Sequence, residues 1–445
     1  MQSALNIALD IIKTLLIIDV MIFVHELGHF ISAKKVGIKV LRFAIGFGPK
    51  IVGFKKGDTE YCILALPFGG YVKMAGENPA EINTEENIPE EIEGSYLTAP
   101  VSHRALVAFS GPFMNIMLAV FAFAFAYMIG MPPRLGTEIG YVEPNTPAYI
   151  AGILRGDKIL SIDGYKTKKW DDVREGIAIN PDKQIEIVLL RNETEKKTVY
   201  AIPERIEGTE FGRMGISPPM APVISQVKHD SPAEVSGFRS GDIIIIANGK
   251  PISHVIEIVN EIERIKDQQK SIDLVINRNG EKINLNLSLE LNESGTINSM
   301  DGLSFGQIVR LNPIKAFGVA IPETIETGAK IFQFFKKLIS RDVSAKFVAG
   351  PVGIIQITMS VVKTGIAGIL WFAAFFSINL GLVNLLPIFI TDGWVLLMLL
   401  IEKLRGQALS IKRQVLIQQI GITFFIVLFL LVTYNDILRI FTNKF

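Results

Sequence analysis

Four long apolar stretches decide what this chain can fold into: roughly residues 5–33, 105–130, 366–386 with a broken continuation to about 401, and 417–440. About 20 apolar residues in a helix cross a bilayer, and a spanning segment must satisfy its own backbone, so a helical bundle in lipid is expected. The remainder of the chain is different. A mean hydropathy of +0.37 is too high for an ordinary soluble enzyme, yet 20% charged residues are too many for a chain wholly within lipid. A polytopic membrane protein with a sizeable soluble part satisfies both. A formal net charge of +1, with no basic stripe, argues against nucleic acid as a partner. The single cysteine, Cys62, excludes an internal disulfide and any cysteine-rich metal site.

Flanking charges set an expected orientation. The first stretch has no basic leader and carries Asp10, Lys13 and Asp19, so it reads as a retained helix and not a signal peptide. Lys34, Lys35, Lys39 and Arg42 follow it, Arg104 precedes the second stretch, and Lys403, Arg405, Lys412 and Arg413 lie between the third and fourth. The positive-inside rule places these segments in the cytoplasm and the long segment between the second and third stretches outside. The acidic run from Glu77 to Glu93 then reads as a solvated cytoplasmic loop.

The outward segment repeats itself. Val142, Pro147, Gly152, Gly156, Asp157 and Gly164 recur as Val227, Pro232, Gly237, Gly241, Asp242 and Gly249, each pair separated by the same 85 residues. Strands are expected at Lys158 to Ile162 and Ile243 to Ala247, with turns at Asp163-Gly164 and Asn248-Gly249, and further strands at Glu186 to Leu190 and Asp273 to Ile276. The pattern resembles tandem PDZ domains of bacterial membrane proteases. Gly212 to Ile216 and Gly302 to Gly306 are candidate loops for receiving a peptide carboxylate. Strand termination by the same glycines is the competing reading.

Within the first stretch stands His25-Glu26-Leu27-Gly28-His29. Residues four apart share a helix face, so His25 and His29 can aim two imidazoles at one zinc ion, with Glu26 placed as general base toward water. Ionisable residues are costly in lipid and usually mark function there. A third ligand must come from elsewhere in the membrane. Pro387 interrupts the third stretch and Gly393 tolerates unusual dihedrals, so Asp392 can sit on irregular backbone facing a cavity; it is the expected third ligand. Asp19 lies six residues before His25 on another face, and is expected to bond a neighbouring helix or line a water path rather than bind metal.

Together, HELGH (His25 to His29), Gly-Pro-Phe-Met-Asn (Gly111 to Asn115), the repeated outward segment and Asn-Leu-Leu-Pro (Asn384 to Pro387) followed by Asp392-Gly393 resemble the site-2 protease family of intramembrane zinc metalloproteases, in its bacterial sigma-E-regulating branch. The resemblance covers nearly the whole chain. It implies zinc on His25, His29 and Asp392, Glu26 as the catalytic residue, and Asn384 and Asn379 at positions that handle substrate. Arg42 to Pro49 with Ile63 to Lys73 match the family's membrane-associated β-loop, which pairs with an unwound substrate strand. Phe347 to Gly353 and the amphipathic run Pro313 to Ile339 resemble its link from PDZ part to core. Phe389 and Thr391 stand where the family has a second proline and a leucine, and Trp394 where a second glycine is common. An altered loop around an intact ligand is expected.

The fold implied is a polytopic α-helical membrane protein of four transmembrane segments, with an inserted tandem pair of α+β PDZ domains. Its expected divisions are an N-terminal membrane core over 1–136, PDZ domains over 137–219 and 220–306, an amphipathic linker over 307–365 and a C-terminal membrane core over 366–445. The implied activity is cleavage within transmembrane segments of single-span proteins, such as anti-sigma factors or remnant signal peptides. The implied setting is the bacterial cytoplasmic membrane, with the PDZ domains outside, and membrane lipid and peptide ligands are the remaining implied partners. His103, His229 and His254 read as surface or packing histidines, and Glu402 as the end of a helix. Phe121, Phe123, Phe125 and Tyr127 read as lipid-facing and packing surface. The rival classes are an inactive family member serving as a scaffold, against which His25, Glu26, His29 and Asp392 all stand, and a metal transporter, which needs no outward peptide-binding domains.

Overall fold

A computed structural model describes residues 2–77, 94–207, 209, 211–229, 231–265, 268–289, 302–340, 350, 365–388 and 391–407, with scattered residues over 353–361 and 416–436. Most of the acidic run, most of the fourth apolar stretch, most of the Phe347 to Gly353 link, and Phe389 lie outside the described residues. Packing divides the chain into two compact units, one of Met1–Met131 with Arg310–Phe445 and one of Pro132–Val309.

The first unit opens with α1 (Gln2–Lys35), then β1 (Val40–Lys56), β2 (Thr59–Met74) and α2 (Val101–Ile129). The two strands are long enough to fold over on themselves. Residues 42–45 of β1 pair on one side with 60–63 of β2 and on the other with 70–73, while 52–56 of β1 pair with the outer side of 59–63. Two strands thus build a curled four-run sheet whose last run, 70–74, lies against α1. Phe47, Ile51, Phe54 and Leu66 are exposed on this sheet, as suits a hairpin lying in a membrane interface.

The second unit contains two copies of one plan. The first runs β3 (Tyr141–Val142), α3 (Pro147–Ile150), β4 (Lys158–Ile162), β5 (Tyr165–Lys166), α4 (Trp170–Ala178), β6 (Ile185–Arg191), β7 (Glu195–Ala201), β8 (Glu204–Arg205), β9 (Gly212–Arg213) and β10 (Ile216–Ser217). The second runs β11 (Ile224–Val227), α5 (Pro232–Val235), β12 (Ile243–Ala247), β13 (Lys250–Pro251), α6 (Val255–Ile265), β14 (Ser271–Arg278), β15 (Glu281–Ser288) and β16 (Leu303–Phe305). Their sheets have matching orders, β5-β4-β6-β7 and β13-β12-β14-β15. The turns at Asp163-Gly164 and Asn248-Gly249 have positive φ at both residues, the geometry that a tight hairpin of twisted strands requires.

A buried ion pair recurs in both copies. Asp157 receives Arg191 and Asp242 receives Arg278, each carboxylate 1% exposed, and each arginine also donates to a glycine carbonyl, Gly152 or Gly237. The aspartates are 85 residues apart but the arginines 87. The two extra residues fall in the helix, nine residues in α4 and eleven in α6. His254 is a packing residue: it is buried, stacks on Tyr141 and bonds the Pro218 carbonyl through Nε2. The Arg264 guanidinium, with Lys250 and Asn248, holds the buried Glu261 carboxyl down at about 2.

The chain completes the first unit with α7 (Pro313–Ile339), α8 (Ile366–Leu385) and α9 (Asp392–Arg405). Among the described residues, three helical segments, Ile12–Lys35, Val101–Ile129 and Ile366–Leu385, are long and apolar enough to cross a membrane. Small residues let α2, α7 and α8 approach one another: Ala119, Ala122 and Ala124 of α2 meet Ala316 and Ala320 of α7 and Ala374 of α8 in one buried cluster. The aromatic set of α2 divides cleanly, Phe123 and Tyr127 inward and Phe121 and Phe125 outward.

Two expectations are corrected here. Asp19 bonds the hairpin and not a helix: its Oδ1 accepts from the Gly69 N–H at 3.2 Å, because the folded-over β2 brings an irregular backbone turn against α1. Glu402 does more than end a helix. It accepts both Nη groups of the buried Arg104, tying α9 to the start of α2.

Candidate active site

Two glycines bring α1 and α2 together. A Cβ on Gly28 would collide with the Ser110 carbonyl, and one on Gly111 with the imidazoles of His25 and His29. The histidines therefore press against α2 where it has no side chain, and both are buried. The His29 Nδ1 lies 2.8 Å from the Val107 carbonyl, and the His25 Nδ1 3.2 Å from the Asn115 amide. Each ring thus uses Nδ1 on α2 and turns Nε2 inward.

Asp392 arrives from the break in the third apolar stretch. Helix α8 ends at Leu385, and α9 restarts at Asp392 itself, so the carboxylate stands at a helix N-terminus, where negative charge is favoured. Thr391 holds the intervening loop, its hydroxyl donating to the Leu386 and Ile388 carbonyls. A Cβ on Gly393 would strike the Leu385 and Leu386 backbone, so this junction requires glycine. The departure at Thr391 supplies hydrogen bonds to the loop that a leucine lacks.

The three groups meet at one point. His25 Nε2 lies 3.1 Å from His29 Nε2 and 3.1 Å from Asp392 Oδ2, and His29 Nε2 lies 3.4 Å from Asp392 Oδ1. Ligand atoms at 2.0 to 2.1 Å on a tetrahedral zinc are separated by about 3.3 Å. The set fits zinc by spacing and by donor chemistry, two nitrogens and a carboxylate oxygen, and among the described residues it is the group of histidine, cysteine or carboxylate side chains that could hold a metal.

A cavity of about 380 Å3 opens on this point, lined by His25, Glu26, His29, Tyr71, Val72, Met74, Glu77, Tyr96, Asn384 and Asp392 among others. The 70–74 run of β2 forms one wall. Carboxylates meet N–H groups along it: Asp19 at Gly69, Glu26 at Val72 and Glu77 at Met74. Burial, reinforced by Glu77, pushes the Tyr96 phenol up. Of the residues singled out from sequence, His25, Glu26, His29, Asn384 and Asp392 share the cavity. Asn379 does not line it; its amide donates to the Phe375 carbonyl one turn back on α8. Glu77, Tyr96 and the Asn115 contact were not anticipated as parts of the site. Only Asn115 carried a signal, as the last residue of Gly-Pro-Phe-Met-Asn.

Residues 13–428 match the family described as Peptidase family M50. The chain belongs to peptidase family M50. Its relatives include zinc metalloprotease RasP of Bacillus licheniformis, 30% identical with 97% of this chain and 99% of the relative covered. Regulator of sigma-E protease RseP of Escherichia coli is 29% identical at the same coverage, and regulator of sigma-W protease RasP of Bacillus subtilis 28% identical, again with 97% and 99% covered. Among solved structures, the PDZ domain of an SdrC-like protein from Listeria monocytogenes aligns with 20% of this chain and 92% of its own at 18% identity, with a TM-score of 0.17, too low to argue a fold from. As an M50 peptidase, the chain is a zinc-dependent metalloprotease of the membrane that acts in regulated intramembrane proteolysis.

Proposed function

We propose that His25, His29 and Asp392 are the zinc ligands, that Glu26 is the catalytic base, and that the cavity receives an unwound transmembrane segment of a single-span membrane protein. The observation that carries this is the convergence of two imidazole nitrogens and a carboxylate at tetrahedral spacing on a cavity that also contains Glu26. Bound zinc supplies a Lewis acid for the scissile carbonyl and lowers the pKa of water. Glu26 takes the proton from the attacking water and returns it to the leaving nitrogen. A substrate that has surrendered its helical hydrogen bonds pairs with the 70–74 run by replacing Glu26 and Glu77 at the Val72 and Met74 N–H groups, which offsets the cost of unwinding in lipid. Asn384, on the cavity wall, hydrogen-bonds that opened backbone; Asn379 supports the same helix from outside the cavity.

The proposed organisation is a membrane core over 1–136 and 366–445, PDZ domains over 137–219 and 220–306, and a linker over 307–365, with a fourth span over 417–440. Matching sheet orders, paired turns and the recurring Asp–Arg pair support two PDZ copies. Gly215 packs on Thr146 and Gly302 on Ser231, so each glycine-bearing loop closes on the residue capping a short helix. Flanking lysines and arginines favour these domains on the extracytoplasmic side of a bacterial inner membrane, where they select substrates by their outer portions. Anti-sigma factors are the substrate class that the sigma-regulating relatives suggest, and remnant signal peptides are a second proposed class.

The test pairs metal content with cleavage of a single-span substrate. Asp392→Asn should lower both, because an amide is a poorer zinc ligand than a carboxylate. Unchanged zinc stoichiometry after dialysis would remove Asp392 from the metal site.

A further inference from the structure

Asn115 is completely buried, and its side chain makes one contact, between an amide atom and the His25 Nδ1 at 3.2 Å. The other amide atom has no partner. Its backbone carbonyl is occupied separately, by the Ser377 hydroxyl of α8 at 2.8 Å, so this contact between α2 and α8 does not use the side chain. Nitrogen and oxygen of an amide are interchangeable by a flip, and the choice rests on the chemistry of the partner. Here the partner decides it. His25 directs Nε2 at His29 and Asp392. An imidazole that gives one nitrogen to a metal carries its proton on the other, so Nδ1 is a donor and must be met by an acceptor.

We propose that Asn115 is a positioning residue for the metal: its side-chain oxygen accepts the Nδ1 proton of His25 and fixes the tautomer that leaves Nε2 bare. The opposite orientation has the amide nitrogen donating to Nδ1, which moves the imidazole proton to Nε2 and blocks coordination. His29 is fixed in the same way by the Val107 carbonyl, which can only accept. Both acceptors are on α2, eight residues and thus about two turns apart, flanking the gap left by Gly111. One helix therefore sets both tautomers while supplying no ligand.

This rests on the ligand assignment proposed above, and the experiment separates the two. Zinc affinity is measured by chelator competition on the full-length protein for the wild type, Asn115→Ala, Asn115→Asp and His25→Ala, with thermal unfolding recorded in excess zinc. Loss of an outer partner of a metal-bound histidine costs on the order of 10–100-fold in metal affinity, and Asn115→Ala should show it. Asn115→Asp keeps the acceptor and removes the donor, so it should restore about wild-type affinity. Wild-type affinity in Asn115→Ala, or an Asn115→Asp variant that is folded yet binds zinc as poorly as Asn115→Ala, overturns the proposal. If Asn115→Ala does not fold, Asn115→Asp against wild type decides alone, retained affinity supporting the acceptor and lost affinity the donor. Failure of His25→Ala to weaken zinc binding would instead overturn the ligand assignment.

Discussion

The 132–309 unit and the active site of the membrane unit bury polar groups in opposite ways. In the 132–309 unit each buried charge is answered locally: Asp157 by Arg191, Asp242 by Arg278, Glu261 by Arg264 and Lys250. In the membrane unit, His25, His29, Asn115 and Asp392 crowd one point from three separate helices, and an amide atom of Asn115 is left unpaired. Buried polar groups are costly unless satisfied. Pairs that close on themselves hold a domain together, whereas a converging set still able to take a metal is arranged for chemistry.

Breaking a closed pair is the larger perturbation of structure. Asp242→Ala strands Arg278 and should destabilise the second copy by about 3–5 kcal/mol, with Asp157→Ala doing the same to the first. Hydrogen exchange on the full-length protein should show loss of protection within that copy, while zinc content stays at the wild-type level. Zinc loss in either variant would break the contrast between the units. A smaller effect is expected from Asn384→Leu in the cavity. Leaving an opened substrate backbone unpaired costs about 1–3 kcal/mol, roughly a ten- to hundredfold loss in rate. Cleavage should slow with zinc and melting temperature unchanged; a stability loss that tracks the rate loss would make Asn384 a brace of the broken third stretch instead.

What was legible from sequence was what local spacing encodes. The i, i+4 histidines follow from helix geometry, the Asp-Gly and Asn-Gly turns from their φ preferences, and the break before Asp392 from Pro387. The contacts that escaped join residues far apart in the chain. Arg104 meets Glu402, Asp19 meets Gly69, and Asn115 meets His25. Periodicity says which face a residue takes but not which element covers it. Asp19 illustrates the limit: a polar residue facing inward was evident, but its partner is a backbone N–H that exists only because β2 folds back beside α1. Likewise the 85-residue repeat was visible through Gly249 and then lost, because two extra residues in α6 shift every later equivalence.

Glu26 moves the proton while His25, His29 and Asp392 hold the metal, and Glu26→Gln separates these roles in one protein. Zinc stoichiometry and cleavage of a single-span substrate are measured side by side on the purified full-length variant. Full zinc occupancy and no detectable cleavage are expected, because an amide cannot accept the proton from water. Wild-type-like turnover, or loss of the zinc along with the activity, would contradict this division of roles.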